Sequence, residues 1–112
     1  MNDLLRPSHY EAYHEIVEVN ASGQPTRVVD VVGPVCEAGD FLALDRALPD
    51  VAPGELLAVL GAGAYGFVMS SSYNSRPRPP EVLVDGGRFV VVRPRETLDD
   101  LFRGEPVEPF DA

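Results

Sequence analysis

Apolar and polar residues in this chain change places in short runs, and most of those runs have the two-residue period of extended backbone. From Tyr13 to Val19 one row holds Tyr13, Glu15, Val17 and Val19, and the other His14, Ile16 and Glu18. Apolar groups stand in both rows, which predicts a strand covered on both sides. Thr26–Val32 is rich in β-branched residues and predicts a second strand. Phe41–Leu48 fits a strand or a helical turn equally well. Glu55–Leu60 is a compact apolar run that reads as a buried strand. Glu81–Val84 and Phe89–Arg93 flank Asp85-Gly86-Gly87-Arg88, a hairpin signature with Asp-Gly at its turn. Helical spacing is brief. Ser8 and Glu11 have capping-box spacing, so Ser8–Tyr13 reads as a single helical turn. Leu98, Leu101 and Phe102 give a short helix over Glu96–Phe102, with acids in its first part and Gly104 at its end. Asn20–Pro25 and the Pro-punctuated Leu48–Gly54 are turns. The expected fold is a mainly β domain with short helices, a single domain over residues 1–112, with residues 104–112 a flexible tail.

Charge narrows the partners. The 112 residues carry a net charge of −9, whereas nucleic acid and anionic membranes need a basic stripe. No apolar run reaches membrane-spanning length, and no signal peptide opens the sequence. A single cysteine excludes an internal disulfide and fits a reducing cytoplasm. His9 and His14 are too few, and lack other ligand types nearby, to predict a metal site. All nine basic residues are arginine. A chain without lysine has no ε-amine with which to form a Schiff base.

The lone thiol lies in Gly33-Pro34-Val35-Cys36-Glu37-Ala38-Gly39-Asp40. Pro34 fixes its own φ, and the two glycines are expected to open positive φ at entry and exit. Cys36 therefore sits on a shaped bend between extended segments. A carboxylate beside a thiol disfavours the thiolate, which makes Cys36 a candidate proton donor; the competing reading is a small buried residue packed at a turn. Gly61-Ala62-Gly63-Ala64-Tyr65-Gly66 matches G-x-G-x-x-G by letter. A dinucleotide fingerprint must open a long helix, and Ser70–Pro80 cannot be one. The glycines instead predict a sharp turn that displays Tyr65.

With these residues laid out, the sequence resembles the C-terminal portion of the diaminopimelate decarboxylases, pyridoxal-phosphate enzymes with an alanine-racemase-like barrel. Four patches carry the likeness: Met1–His14, with Arg6-Pro7-Ser8-His9-Tyr10 at its centre; Gly33–Asp40, similar to a Cys-Glu-Ser-Gly-Asp motif; Gly61–Gly66, similar to a Gly-Ala-Tyr motif; and the run Met69–Leu83. Ala38 stands where the family has serine and Ser72 where asparagine is common, and neither change removes a titrating group.

The resemblance implies an alanine-racemase C-terminal-like β-barrel or sandwich domain. The family's (β/α)8 barrel, which carries the Schiff-base lysine and most of the phosphate cradle, takes roughly 250 residues and is absent from this chain. It further implies a cytoplasmic homodimer with composite active sites, pyridoxal 5'-phosphate held mainly by the barrel, and conversion of meso-diaminopimelate to L-lysine and CO2. By position, Cys36 is the catalytic proton donor and Glu37 binds the distal ammonium. Arg6 clamps the distal carboxylate with Tyr10 beside it, and Tyr65 serves both substrate and cofactor. Tyr73, Arg76 and Arg78 are expected to pack loops and pair with acids. Ornithine, arginine and carboxynorspermidine decarboxylases share the architecture, and a non-catalytic interaction module is the reading from another class.

Overall fold

The computed structural model describes residues 1–106. The chain forms two compact units, Met1–Ser70 and Ser71–Ala112. The first contains helix α1 (Arg6–Tyr10) and strands β1 (Ile16–Glu18), β2 (Thr26–Val32), β3 (Phe41–Pro49) and β4 (Leu57–Val59), then a 3-10 turn at Phe67–Met69. The second contains a 3-10 turn at Tyr73–Ser75, strands β5 (Glu81–Asp85) and β6 (Arg88–Arg93), and a 3-10 turn at Asp99–Leu101. Strands dominate, as the alternating pattern predicts. Among the described residues they pair antiparallel as β1–β4, β2–β3 and β5–β6.

The ambiguous Phe41–Leu48 run is a strand because it has a partner. β2 pairs with it from Thr26↔Pro49 to Val32↔Phe41. The register slips where Asp30 faces Leu44 and Asp45. Asp45 takes φ 48, and its N–H donates to Asp30 Oδ1 at 2.8 Å. This bulge re-aims β3 so that Ala43 and Leu48 both turn inward. They meet Ile16 of β1 in the buried core, with Val29, Val31, Leu42, Leu57 and Val59 packed around them.

Four expectations need correction. The strand over Tyr13–Val19 shortens to Ile16–Glu18, because only Val59, Ala58 and Leu57 stand opposite to pair with it. Glu55–Leu60 shortens to β4, which is half-buried rather than buried, since its ladder partner lies on one side only. The helical turn begins two residues early, at Arg6, with Pro7 in its first turn and no side-chain cap. Ser8 Oγ instead donates to the Leu5 carbonyl at 3.2 Å, and Glu11 is the left-handed residue at the helix end, φ 59. Ala12 N–H closes back on the Arg6 carbonyl at 3.2 Å, a Schellman-type end. The expected helix at Glu96–Phe102 reduces to the single turn Asp99–Leu101.

In the second unit the hairpin turn is Gly86-Gly87, because Asp85 already pairs with Arg88; Gly86 supplies φ 57. Arg78 has the acid partner expected of it. Its Nε donates to Glu96 Oε1 at 2.8 Å and its backbone N–H to Glu96 Oε2 at 2.9 Å. The side-chain bond to Arg78 holds the Glu96 carboxyl below the usual carboxylate range and lifts the Arg78 guanidinium above its ordinary value. Asp100 is likewise held low, chiefly by accepting the Thr97 N–H at 2.7 Å. Of the expected tail, residues 107–112 lie outside the described residues.

Candidate substrate-binding site

Helix α1 is the frame of the site. Four residues separate Arg6 from Tyr10, so the two share a helix face, and Arg6 Nε donates to Tyr10 Oη at 2.8 Å. Pro7, between them, is the helix residue buried against the body of the unit. Tyr10 Oη in turn lies 3.9 Å from Met69 Sδ.

The glycine bend brings the third member. Gly61 takes φ 66, and the turn closes through Gly66 N–H on the Ala62 carbonyl at 2.7 Å. A side chain on Gly66 would crowd that same carbonyl oxygen at 3.0 Å. The bend displays Tyr65, about half-exposed, beneath the Arg6 guanidinium, whose Cζ stands 4.7 Å from the ring centroid. The guanidinium lies 5.6 Å from the Tyr10 ring centroid as well. Cation–π contact with two rings holds the group, and among the described residues only its Nε enters a hydrogen bond. The ion pair with Asp3 that would give Arg6 a purely structural role does not form. Among the described residues no carboxylate is within ion-pair distance of Arg6.

Cys36 and Glu37 lie on the loop joining β2 to β3. Gly33 N–H donates to the Asp40 carbonyl at 2.7 Å, and Asp40 N–H to the Glu37 carbonyl at 3.0 Å. Asp40 is the anchor: it is buried, and its carboxylate accepts the Val35 N–H at 2.8 Å and faces the Met1 amino group. The glycines work differently from expectation. Neither Gly33 nor Gly39 takes positive φ. Gly33 is needed because a Cβ there would overlap the Asp40 carboxylate. Cys36 is a free, exposed thiol, so the packed-at-a-turn reading fails. Glu37 is exposed and folds one oxygen back on the Gly39 N–H at 3.1 Å.

The loop meets α1 at Ser8, whose Cβ would lie 3.8 Å from a Cβ on Gly39. Ser8 is two residues from Arg6, hence about 200° around the helix. The structure thus gathers Arg6, Tyr10 and Tyr65 on one side of α1 and seats the Cys36–Glu37 loop against another. Among the described residues no hydrogen bond or ring contact joins the two groups. Met69 belongs to the Tyr10 environment, and local periodicity carries no signal for it, because its partner is 59 residues away.

A family model described as pyridoxal-dependent decarboxylase, C-terminal sheet domain, matches residues 1–63. The diaminopimelate decarboxylase of Aquifex aeolicus is 59% identical over 99 residues, covering 88% of this chain and 24% of that protein. That of Methanothermobacter thermautotrophicus is 54% identical over 107 residues, covering 95% of this chain and 25% of that protein. A crystal structure of diaminopimelate decarboxylase from M. jannaschii in co-complex with L-lysine superposes with a TM-score of 0.89 at 40% identity, over 97% of this chain and 25% of that one. The chain spans about a quarter of the length of the relatives it matches.

Proposed function

Because the chain belongs to the pyridoxal-dependent decarboxylases, as their C-terminal sheet domain, we propose that residues 1–112 act as the substrate-binding and dimerisation domain of a diaminopimelate decarboxylase. The substrate is meso-2,6-diaminopimelate and the products are L-lysine and CO2. The single observation that carries this reading is the Arg6 guanidinium, stacked on Tyr65 and Tyr10 with its terminal nitrogens unspent on any described carboxylate. A planar fork held in that way suits bidentate capture of a carboxylate. Diaminopimelate has a second carboxylate beyond the reacting centre; ornithine and arginine have none there, which favours it over those two.

The residues present fit pyridoxal phosphate only as contributors. No lysine is available for a covalent link, and the exposed Tyr65 phenol is the group on this chain that would donate to the cofactor. When bound, the cofactor supplies an electron sink for breaking the carbon–carboxylate bond. The chain's own work is to bind and to hold a proton. Arg6, with Tyr10 bonded to its Nε, orients the distal carboxylate. Glu37 binds the distal ammonium through a charge-assisted hydrogen bond, using the carboxylate oxygen that Gly39 leaves open. Cys36 holds a proton at Sγ for the carbon that loses CO2.

The separation of Arg6, Tyr10 and Tyr65 from the Cys36–Glu37 loop supports a composite site in a homodimer, each subunit lending a different loop to the other's cavity. The test is Arg6→Lys in the full-length protein. Losing bidentate recognition is worth about 1.5–3 kcal/mol, so kcat/KM for diaminopimelate should fall roughly 10–150-fold, mostly through KM. Unchanged KM sinks the assignment.

A further inference from the structure

His14 is 3% exposed, and its ring does not belong to the Arg6 cluster. Nδ1 stands 2.9 Å from the Leu60 carbonyl oxygen. A carbonyl only accepts, so Nδ1 carries the hydrogen of that bond. Nε2 is buried and has no hydrogen-bond partner among the described residues. An apolar side chain of similar size would avoid that orphan, whose burial costs free energy. The imidazole's place therefore rests on its Nδ1 bond, and that bond ends at the residue before the glycine bend.

Leu60 is held from both sides by consecutive residues. Its N–H donates to the Glu15 carbonyl at 2.8 Å, and its carbonyl accepts from His14. Gly61, with φ 66, then turns the chain, and four residues later Tyr65 lies under Arg6. His14 is itself fixed to β3. Arg46 Nη1 donates to the His14 carbonyl at 2.7 Å, and the same guanidinium sits 4.1 Å over the Tyr13 ring. A closed circuit results: Arg6 on α1, His14 eight residues on, Leu60, the bend, Tyr65 and Arg6 again.

We propose that His14 is a positioning residue, which fixes the Leu60 carbonyl so that the glycine bend delivers Tyr65 to Arg6. The proposal rests on the reading of Arg6, Tyr10 and Tyr65 as the carboxylate clamp, and it adds what aligns that clamp. His14 acts through the Leu60 carbonyl and the bend, and its own ring is buried.

The experiment is nuclear Overhauser spectroscopy on the full-length protein, selectively labelled at its arginine and tyrosine side chains, comparing the Arg6–Tyr65 contact with the Arg6–Tyr10 contact in the same spectrum. The second lies within α1 and does not run through the bend. In H14N the side-chain amide replaces the Nδ1 donor, and both contacts are expected to remain. In H14L the Arg6–Tyr65 contact is expected to be lost while Arg6–Tyr10 stays. Retention of Arg6–Tyr65 in H14L overturns the proposal, and so does its loss in H14N, whether the loss is local or the chain unfolds. Should H14L fail to fold, H14Q takes its place, with a donor one methylene further out. Arg6–Tyr65 weaker in H14Q than in H14N supports the proposal, and equal contact in both overturns it. No cofactor or substrate enters the measurement. An R6K enzyme with raised KM beside an H14L chain with intact Arg6–Tyr65 contact would leave the clamp standing and remove His14 from it.

Discussion

Gly33 shows how a single residue can be flagged correctly for the wrong reason. Two glycines and a proline around the thiol mark a shaped bend, and the bend is there. The expected cause was positive φ, but the actual cause is room for the Asp40 carboxylate, which returns seven residues later to bind Val35 N–H. Close approach of that kind is written in three dimensions, and local letters do not carry it. Gly33→Ala should therefore overpack the loop and lower stability by about 1–3 kcal/mol, measured by urea unfolding. A change within experimental error would mean that Asp40 moves aside freely. Cys36 and Glu37 were legible as candidates because Cys is unique in the chain and a carboxylate adjoins it. Their roles separate in kinetics. In the full-length protein Cys36→Ala should lower kcat by about 10²–10⁴, the range for a positioned proton donor, with substrate affinity kept. A Cys36→Ala enzyme with normal turnover would place the proton elsewhere.

At the scale of elements, a two-residue period marks a strand fully where a partner strand lies alongside it and overstates the strand where none does. β2 and the β5–β6 hairpin stand where the sequence puts them, since β-branched runs and a Gly-Gly turn are local signals. β1 and β4 are each trimmed to three residues because ladder length is set by the partner. The Ser8–Glu11 spacing misplaces the start of α1, which Pro7 in the first turn defines, with no side-chain cap. The Arg78–Glu96 contact makes a prediction at this scale. The Glu96 carboxyl is depressed in the folded chain, so its stabilising contribution is present above the ordinary glutamate value of about 4.3 and is lost as pH falls through the lower folded value. The Arg78 amide, bonded to Glu96 Oε2, should keep its shift and exchange protection at pH 4.3 and lose them only in stronger acid. An NMR titration of that amide with a midpoint at or above 4.3 would contradict the bond.

For the whole molecule, the hairpin β5–β6 is decisive. Opposed residues of a strand pair share a face. Val82, Val84, Phe89 and Val91 line one face, and Leu83 and Val90 lie on the other. All are exposed, Phe89 by 76%. A ribbon apolar on both faces is built to be covered on both, and the chain spans about a quarter of its relatives' length. Alone, it should self-associate, which light scattering would register; a monodisperse monomer would show the faces to be tolerated in water. Supplied with pyridoxal phosphate and diaminopimelate, the purified chain should release no CO2, since it contains no lysine. The β class and the Arg6, Cys36 and Tyr65 motifs were readable from the sequence because short motifs and turn chemistry are local. What covers the hairpin was not, because contacts made far along the chain or by another molecule leave no mark on local letters.

The solvent-exposed thiol of Cys36 has one more consequence. The chain carries a single sulfhydryl and no ε-amine, so a maleimide dye attaches at one place on it and no lysine competes for the reagent. A fluorophore on that sulfur would sit on the loop assigned to the neighbouring subunit's cavity, and its emission should change when two subunits of the proposed dimer come together.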